Sequence, residues 1–265
     1  LLYITGTRGC VRRCTFCDVG MIWPKFTTKS GKTIAQEMKY QLDRHPEVKK
    51  FYFTDSLING STKQIKEMVD YLLENKIDCK WGGQFIVRPP RTQSPEMFKR
   101  MAESGCERML LGVESASQKV LNDMKKGMNI EDVYYTLEQC SLNGITVVPM
   151  MIVGYPTEGE KEFQENIDFL HKIKKYNDDG TIFQLSLGPT LRVFEGTPLA
   201  HHFAEEGIDY EDSFSWTYDD NTEKVRIERW FQMRNVARDL GFRLAIESPH
   251  FLKRRYKNIT GEDID

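Results

Sequence analysis

Short runs rich in Val, Ile, Phe, Tyr and Leu alternate along the chain with longer stretches in which apolar residues recur every three or four positions. The first kind of run reads as β-strand and the second as amphipathic helix. Six strands are predicted, over residues 3–7, 50–55, 80–87, 108–114, 146–154 and 181–191. Between them, Ile65, Met68, Val69, Leu72 and Leu73 form one apolar stripe, the pattern of a helix lying against a sheet. Helix starts are predicted at Ser61 with Gln64, at Ser94 before Pro95, at Asn129 with Glu131 and Asp132, and at Thr157 with Glu160. In each, a polar side chain can satisfy the free N–H groups of a first turn or complement its dipole. Gly105, Gly144 and Gly241 mark helix stops. The last helix is expected over residues 225–240, after an acidic and aromatic insertion at 204–221, and the polar tail 253–265 is expected to be loosely held.

Strict alternation of strand and helix implies a parallel sheet, because parallel neighbours need a helical return. The expected fold class is therefore α/β, a partial (β/α)6 TIM-like barrel with parallel strands, six units being too few for the closed eightfold barrel. Residues 1–200 would form the core barrel, and 201–265 an insertion, last helix and tail packed on it as part of one domain.

Composition narrows the function classes. Lys plus Arg is 37 against 39 for Asp plus Glu, a net charge of −2, which argues against a general nucleic-acid binder. Apolar residues make up 40% and charged residues 29%, the profile of a folded rather than a disordered chain. The longest apolar stretch, about 145–155, is far too short to span a membrane, and no secretory leader pattern opens the sequence. Residue 1 is Leu rather than Met, consistent with a piece of a longer protein.

The cysteines are placed unevenly. Cys10, Cys14 and Cys17 crowd into eight positions, while Cys79, Cys106 and Cys140 are scattered, the first two at strand beginnings and the third inside a helix. Crowded thiols without a leader suggest a reducing cytoplasm and metal binding. The crowded three follow the first strand, and in parallel α/β folds sites are built at the carboxyl ends of strands. Three thiolates at spacings of four and three can hold three irons of a 4Fe–4S cluster and leave the fourth iron open, with Arg8, Arg12 and Arg13 adding positive potential. A zinc site with Asp18 or His45 as fourth ligand, or a buried stripe of thiols on a helix, are the competing readings.

Cys10-x-x-x-Cys14-x-x-Cys17, with Phe16 just before the third cysteine, resembles the cluster motif of the radical SAM superfamily. The resemblance implies a 4Fe–4S cluster whose open iron binds S-adenosylmethionine, reductive cleavage to methionine and a 5′-deoxyadenosyl radical, and hydrogen abstraction from substrate. It also implies a low-potential electron donor such as a flavodoxin or ferredoxin. By the same resemblance Asp55, in Thr54-Asp55-Ser56, would accept from the methionyl ammonium, although the family's common pattern there is Gly-Gly-Glu. Glu114, in Gly112-Val113-Glu114-Ser115, would meet the ribose or methionine part of the cofactor, with an ion pair to Arg88 as the alternative; Gly154 would let the fifth strand approach the adenine. The sixth strand's alternation puts Gln184, Ser186, Gly188, Thr190 and Arg192 on one polar face, with Arg192 suited to a carboxylate or phosphate. Gln84, Arg88 and Tyr155 are candidate substrate contacts. Lys126-Gly127-Met128 and Gly154-Tyr155-Pro156 are similar to the cobalamin-linked branch, which often carries an upstream cobalamin domain and includes radical methyltransferases. Cobalamin is thus a further candidate cofactor, unsupported by these residues themselves. The alternative functions are a methylthiotransferase-like RNA modifier and a non-enzymatic iron–sulfur or zinc module.

Overall fold

A computed structural model describes residues 1–245 and 249–265. Nine strands are described: β1 (Leu2–Ile4), β2 (Thr7–Arg8), β3 (Thr27–Thr28), β4 (Lys50–Phe53), β5 (Lys80–Phe85), β6 (Cys106–Glu114), β7 (Thr146–Met151), β8 (Leu185–Leu187) and β9 (Leu244–Ala245). The helices are α1 (Val19–Ile22), α2 (Gly31–Arg44), α3 (Thr62–Glu74), α4 (Pro95–Glu103), α5 (Gln118–Asp123), α6 (Ile130–Leu142), α7 (Glu160–Asp178), α8 (Pro198–Glu205), α9 (Glu223–Asp239) and α10 (Pro249–Thr260). Seven strands form one open sheet in the order β1-β4-β5-β6-β7-β8-β9, every neighbouring pair parallel. All six expected strands are present, so the partial parallel barrel stands, with β9 as an added seventh edge strand.

The period of two along the strands separates two faces. Phe51 and Phe53, Trp81 and Phe85, Met109, Leu111 and Val113, Val147 and Met151, and Leu185 and Leu187 are all buried. They pack against helices in one cluster with Met68, Leu72, Phe98, Leu137, Phe163 and Leu170. Each such side chain contributes about 1.5–3 kcal/mol by leaving water. On the opposite, concave face Tyr52, Gln84, Leu110, Met150 and Ser186 are only half-buried.

Local signals set most helix starts. The side chains of Ser61 and Ser94 accept from the amides of Gln64 and Met97, and the Asn129 amide donates to Asp132. The Thr157 start is corrected: α7 begins after Gly159, whose amide donates to Glu162 at 2.9 Å, while the Thr157 hydroxyl turns to Asp123. The sixth strand is also shorter than expected, because after Leu187 the chain reaches Gly188-Pro189 and leaves the sheet.

The C-terminal end holds the main surprises. Helix α9 is not the last: residues 253–260 belong to α10, which buries Leu252 and Tyr256 one turn apart against the core. Arg255 pairs with Asp212 and Glu223, and the Tyr256 hydroxyl donates to Glu228, so the polar residues have partners too. Within the 204–221 insertion Trp216 is fully buried, in a second apolar cluster with Tyr155, Leu191, Leu199 and Phe203.

Candidate functional site

The cysteine loop is an excursion from the end of β1. It is closed at its base where β2 pairs antiparallel with β3. Its middle is tied to three distant segments: the Thr15 amide donates to Met124 O (3.0 Å), the Leu199 amide to Thr15 O (2.9 Å), and the Thr15 hydroxyl to Tyr155 Oη (2.9 Å). Tyr155 in turn donates to Asp123 O at 3.0 Å and is 4% exposed. This buried phenol anchors the loop through its contacts with Thr15 and Asp123. Phe16 faces the second apolar cluster, half-buried beside Tyr155 and Leu199.

The anchoring leaves Cys10, Cys14 and Cys17 on the wall of one cavity of about 390 Å³, with Arg12 and Arg13 on the same loop and Gly196 and Pro198 opposite. Burial pushes the Cys14 thiol up to about 11; Lys126 pulls against this, while Cys17, Glu114 and Cys10 add to it. Burial likewise raises Cys17. Burial therefore keeps Cys14 and Cys17 protonated until a metal charge takes them up. The Arg12 amide already points at Cys10 Sγ (3.4 Å), a donor suited to a bound thiolate. Among the described residues no three His, Cys, Asp or Glu side chains converge on a single ion. A 4Fe–4S cluster gives each thiolate its own iron, and three thiols on one cavity wall fit that group.

Glu114 ends β6 with φ +67°, in the left-handed region that a side chain rarely adopts, where the register with β7 slips between Gly112 and Glu114. The twist brings Glu114 Oε1 to 2.5 Å from Lys126 Nζ, both side chains nearly buried. The expected alternative partner, Arg88, is replaced by Lys126. Burial works to lower the Lys126 ammonium, but Glu114 and Cys14, with a smaller share from Cys10, outweigh it and hold it above its usual range. A Cβ on Gly112 would stand 2.7 Å from Glu114 Oε1 and 2.8 Å from Lys126 Nζ, so a side chain there would push the two tips aside. Sequence reasoning had Lys126 only as a point of resemblance; its pairing depends on the loop that brings it back to β6.

The other expected site residues are dispersed. Asp55 is buried, and both its oxygens accept from the Gly6 amide, one of them from the Thr7 amide as well. The carboxylate thus fixes the turn from β1 into the cysteine loop. Gly154 has φ +87° and lies against Arg226, whose Cδ would be 2.4 Å from a Cβ there. Its amide donates to the buried Glu158 at 2.9 Å. Burial raises the Glu158 carboxyl to about 7, against the pull of the Gly154 amide and Arg229. Arg226 itself is fully buried; it caps the carbonyls of Phe214, Trp216 and Asn221 and stacks on Trp216 at 3.4 Å. Nothing in the sequence marked this arginine.

Arg192 is exposed and lies over Phe194 and Phe214, within hydrogen-bond reach of Ser213, away from the cysteine cavity. The alternation that assigned it fails where the strand stops at Leu187. Thr190, expected on the same face, is buried with its hydroxyl unpartnered among the described residues. Arg88 donates to Asn59 O (2.9 Å) and Gly60 O (2.7 Å) at the end of β5. Burial and the nearby Arg12 lower it, while Cys10 pulls it up, so it stands within electrical reach of the cavity. Gln84 is half-buried on the concave face. Cys79, Cys106 and Cys140 are buried in the main core, apart from the cavity.

Comparison with known proteins bears on the family and the fold. The Radical SAM superfamily profile matches residues 4–170, more than half of the chain. Bacteriochlorophyllide d C-12(1)-methyltransferase of Chlorobaculum tepidum is 27% identical over 219 residues, covering 82% of this chain and 44% of that protein. A tRNA-2-methylthio-N(6)-dimethylallyladenosine synthase of Carboxydothermus hydrogenoformans is 26% identical over 181 residues, covering 65% and 40%. The chain thus spans less than half the length of either relative. Among solved structures, the radical S-adenosylmethionine methyltransferase TsrM of Kitasatospora setae, with cobalamin and a [4Fe-4S] cluster, superposes with a TM-score of 0.63 at 17% identity, covering 78% of this chain and 37% of that one. Coproporphyrinogen III oxidase of Escherichia coli gives 0.57 at 16% identity, covering 91% and 52%. The chain belongs to the radical SAM superfamily, enzymes that use a 4Fe–4S cluster and S-adenosylmethionine.

Proposed function

We propose that this chain is the catalytic barrel of an enzyme that reductively cleaves S-adenosylmethionine and abstracts hydrogen from a substrate, in the service of methyl transfer. The observation that carries the reading is the single cavity wall shared by Cys10, Cys14 and Cys17, with the Glu114–Lys126 pair acting electrically on Cys14. When bound, the cluster and S-adenosylmethionine supply a 5′-deoxyadenosyl radical on one-electron reduction. Cys10, Cys14 and Cys17 would hold three irons. Glu114 and Lys126 offer one acceptor and one donor to the polar groups of the cofactor's methionine and ribose. Gly154 lies at the end of the strand next to them and keeps the place proposed for adenine, although its own amide is committed to Glu158. The apolar cluster behind Phe16 keeps water from the loop. Gln84 and Arg88 remain the proposed substrate contacts, and Asp55 and Tyr155 position the loop.

The methyltransferase relative supports methyl transfer as the reaction. The tRNA-modifying relative supports methylthio transfer to RNA as a second reading, against which the net charge of −2 counts. The cobalamin-bound neighbour shares the fold at 17% identity, so cobalamin stays outside the proposal. Among the described residues no helix is long and apolar enough to cross a membrane. The six free thiols support a reducing compartment, for which the cytoplasm is proposed, and a flavodoxin or ferredoxin is the proposed donor. The test is anaerobic reconstitution with iron and sulfide. The chain should turn brown and, with dithionite, release 5′-deoxyadenosine; Cys14→Ala should lose both the colour and at least about 99% of the cleavage. Retention of both by the variant refutes the reading.

A further inference from the structure

Two loops leave the carboxyl ends of β4 and β5 and run into α3 and α4. They enclose a cavity of about 440 Å³, within the roughly 300–1,000 Å³ of small-molecule sites. Part of its wall is apolar, with Ile65 buried and Met97 half-buried. Its charge is one-sided: Lys63, Lys66, Arg88, Arg91 and Arg100 stand against one carboxylate, Glu96, in a chain whose net charge is −2. Three of these cations are committed, Lys63 to Glu67, and Lys66 and Arg100 to Asp70. Arg91 is exposed and has no carboxylate partner among the described residues. Arg88 gives Nε and Nη2 to the carbonyls of Asn59 and Gly60, which leaves Nη1 without a partner among the described residues. Gln93, on the same wall and 6% exposed, decides the matter. Asn59 accepts from the Ile86 amide and donates to Ile86 O, both at 2.9 Å, so backbone fixes which way its amide points. The same Asn59 Nδ2 donates to Gln93 Oε1 at 3.4 Å. Gln93 Nε2 is thereby turned the other way and meets no acceptor among the described residues. A buried donor left so is costly unless something enters the cavity to accept from it.

We propose that this cavity binds a small organic acid, an oxyanion (carboxylate or phosphate monoester) carried on an apolar body. Its oxygens accept from Gln93 Nε2, Arg88 Nη1 and the Arg91 guanidinium, and its body lies against Ile65 and Met97. Guanidinium groups suit either acid, since their fork matches two oxygens at once. The first turns of α3 and α4, which bring Thr62 and Glu96 to the wall, add the positive ends of two helix dipoles. Binding is reversible, and no bond is made or broken. The site needs neither the cluster nor S-adenosylmethionine, so it stands apart from the function proposed above. It lies after the carboxyl ends of β4 and β5, as the three thiols lie after that of β1.

Calorimetry on the reconstituted full chain measures the binding of phenyl phosphate, benzoate and inorganic phosphate at neutral pH. At least one of the two aromatic acids should bind with a Kd below about 1 mM, and at least tenfold more tightly than inorganic phosphate. Whichever aromatic acid leads identifies the oxyanion. Arg91 is exposed, so Arg91→Glu tests the site without touching the core; it should weaken binding at least tenfold. Gln93→Glu keeps the oxygen that Asn59 donates to and removes the amide donors, and should weaken binding at least fivefold. Lys99→Glu makes the same charge change on an exposed residue of α4 outside the cavity wall, and should stay within twofold. Three results overturn the proposal: no saturable binding of either aromatic acid in that range, inorganic phosphate binding as tightly as both, or Lys99→Glu weakening binding as much as Arg91→Glu.

Discussion

Asp55 and Glu114 occupy similar places, each a carboxylate where a parallel strand gives way to its loop, yet they do different work. Asp55 is closed in by backbone: the amides of Gly6 and Thr7 take its oxygens and hold the entry to the cysteine loop. Glu114 sits on a strained residue, and its partner is a buried side-chain cation, Lys126, that also acts on Cys14. A carboxylate bonded to amides is fixed by the fold, whereas one bonded to an ammonium can exchange that partner for a ligand. The first therefore shapes the site and the second is available to it.

The largest effect that would sharpen this contrast is expected from Lys126→Met. It leaves Glu114 as an unpaired charge and should lower stability by about 3–5 kcal/mol, read as the urea midpoint of the metal-free chain. A loss below 1 kcal/mol would mean that the pair is not held in solution. Asp55→Ala removes only the acceptor and should cost about 2–3 kcal/mol through its two orphaned amides, with looser cysteines reported by faster thiol labelling of Cys10 and Cys17. If its loss exceeds that of Lys126→Met, the comparison is reversed. Glu158, the acid after β7, supplies a third case with a sign of its own. Its folded value is raised from 4.5 to about 7, so the folded state binds the extra proton. The stability it contributes is complete below about pH 4.5 and is lost as the pH rises through 7. Wild type minus Glu158→Gln should therefore fall by about 1 kcal/mol per pH unit across that window, and a flat difference contradicts the burial argument. The smallest effect belongs to Arg192→Ala, an exposed residue away from the cavity: within about 0.5 kcal/mol in stability and without change in cleavage.

The six main strands and the cysteine loop were legible because each depends on local pattern: alternation along a strand, or three thiols within eight positions. What escaped depends on distance or on brevity. β9 is two residues long and carries no period. Helix α10 hides an i, i+4 pair, Leu252 and Tyr256, among charged neighbours whose partners lie in the insertion and on α9. Arg226 reads as a surface residue on α9 until the carbonyls of residues 214, 216 and 221 close over it. Arg192 failed for the opposite reason, since a real alternation was extended past the Gly188-Pro189 break. Strand-end acids can thus be located from sequence, but their partners cannot.

The moorings of Thr15 carry a consequence for biosynthesis. Met124, Tyr155 and Leu199 all follow the thiols by more than a hundred residues. At roughly 5–20 residues per second, translation needs on the order of ten to forty seconds to supply the last of them. Throughout that interval the nascent thiols have emerged without their socket, exposed to oxidants and to stray metal. Iron is best delivered after the ribosome has finished with Leu199, and oxygen does its greatest harm before.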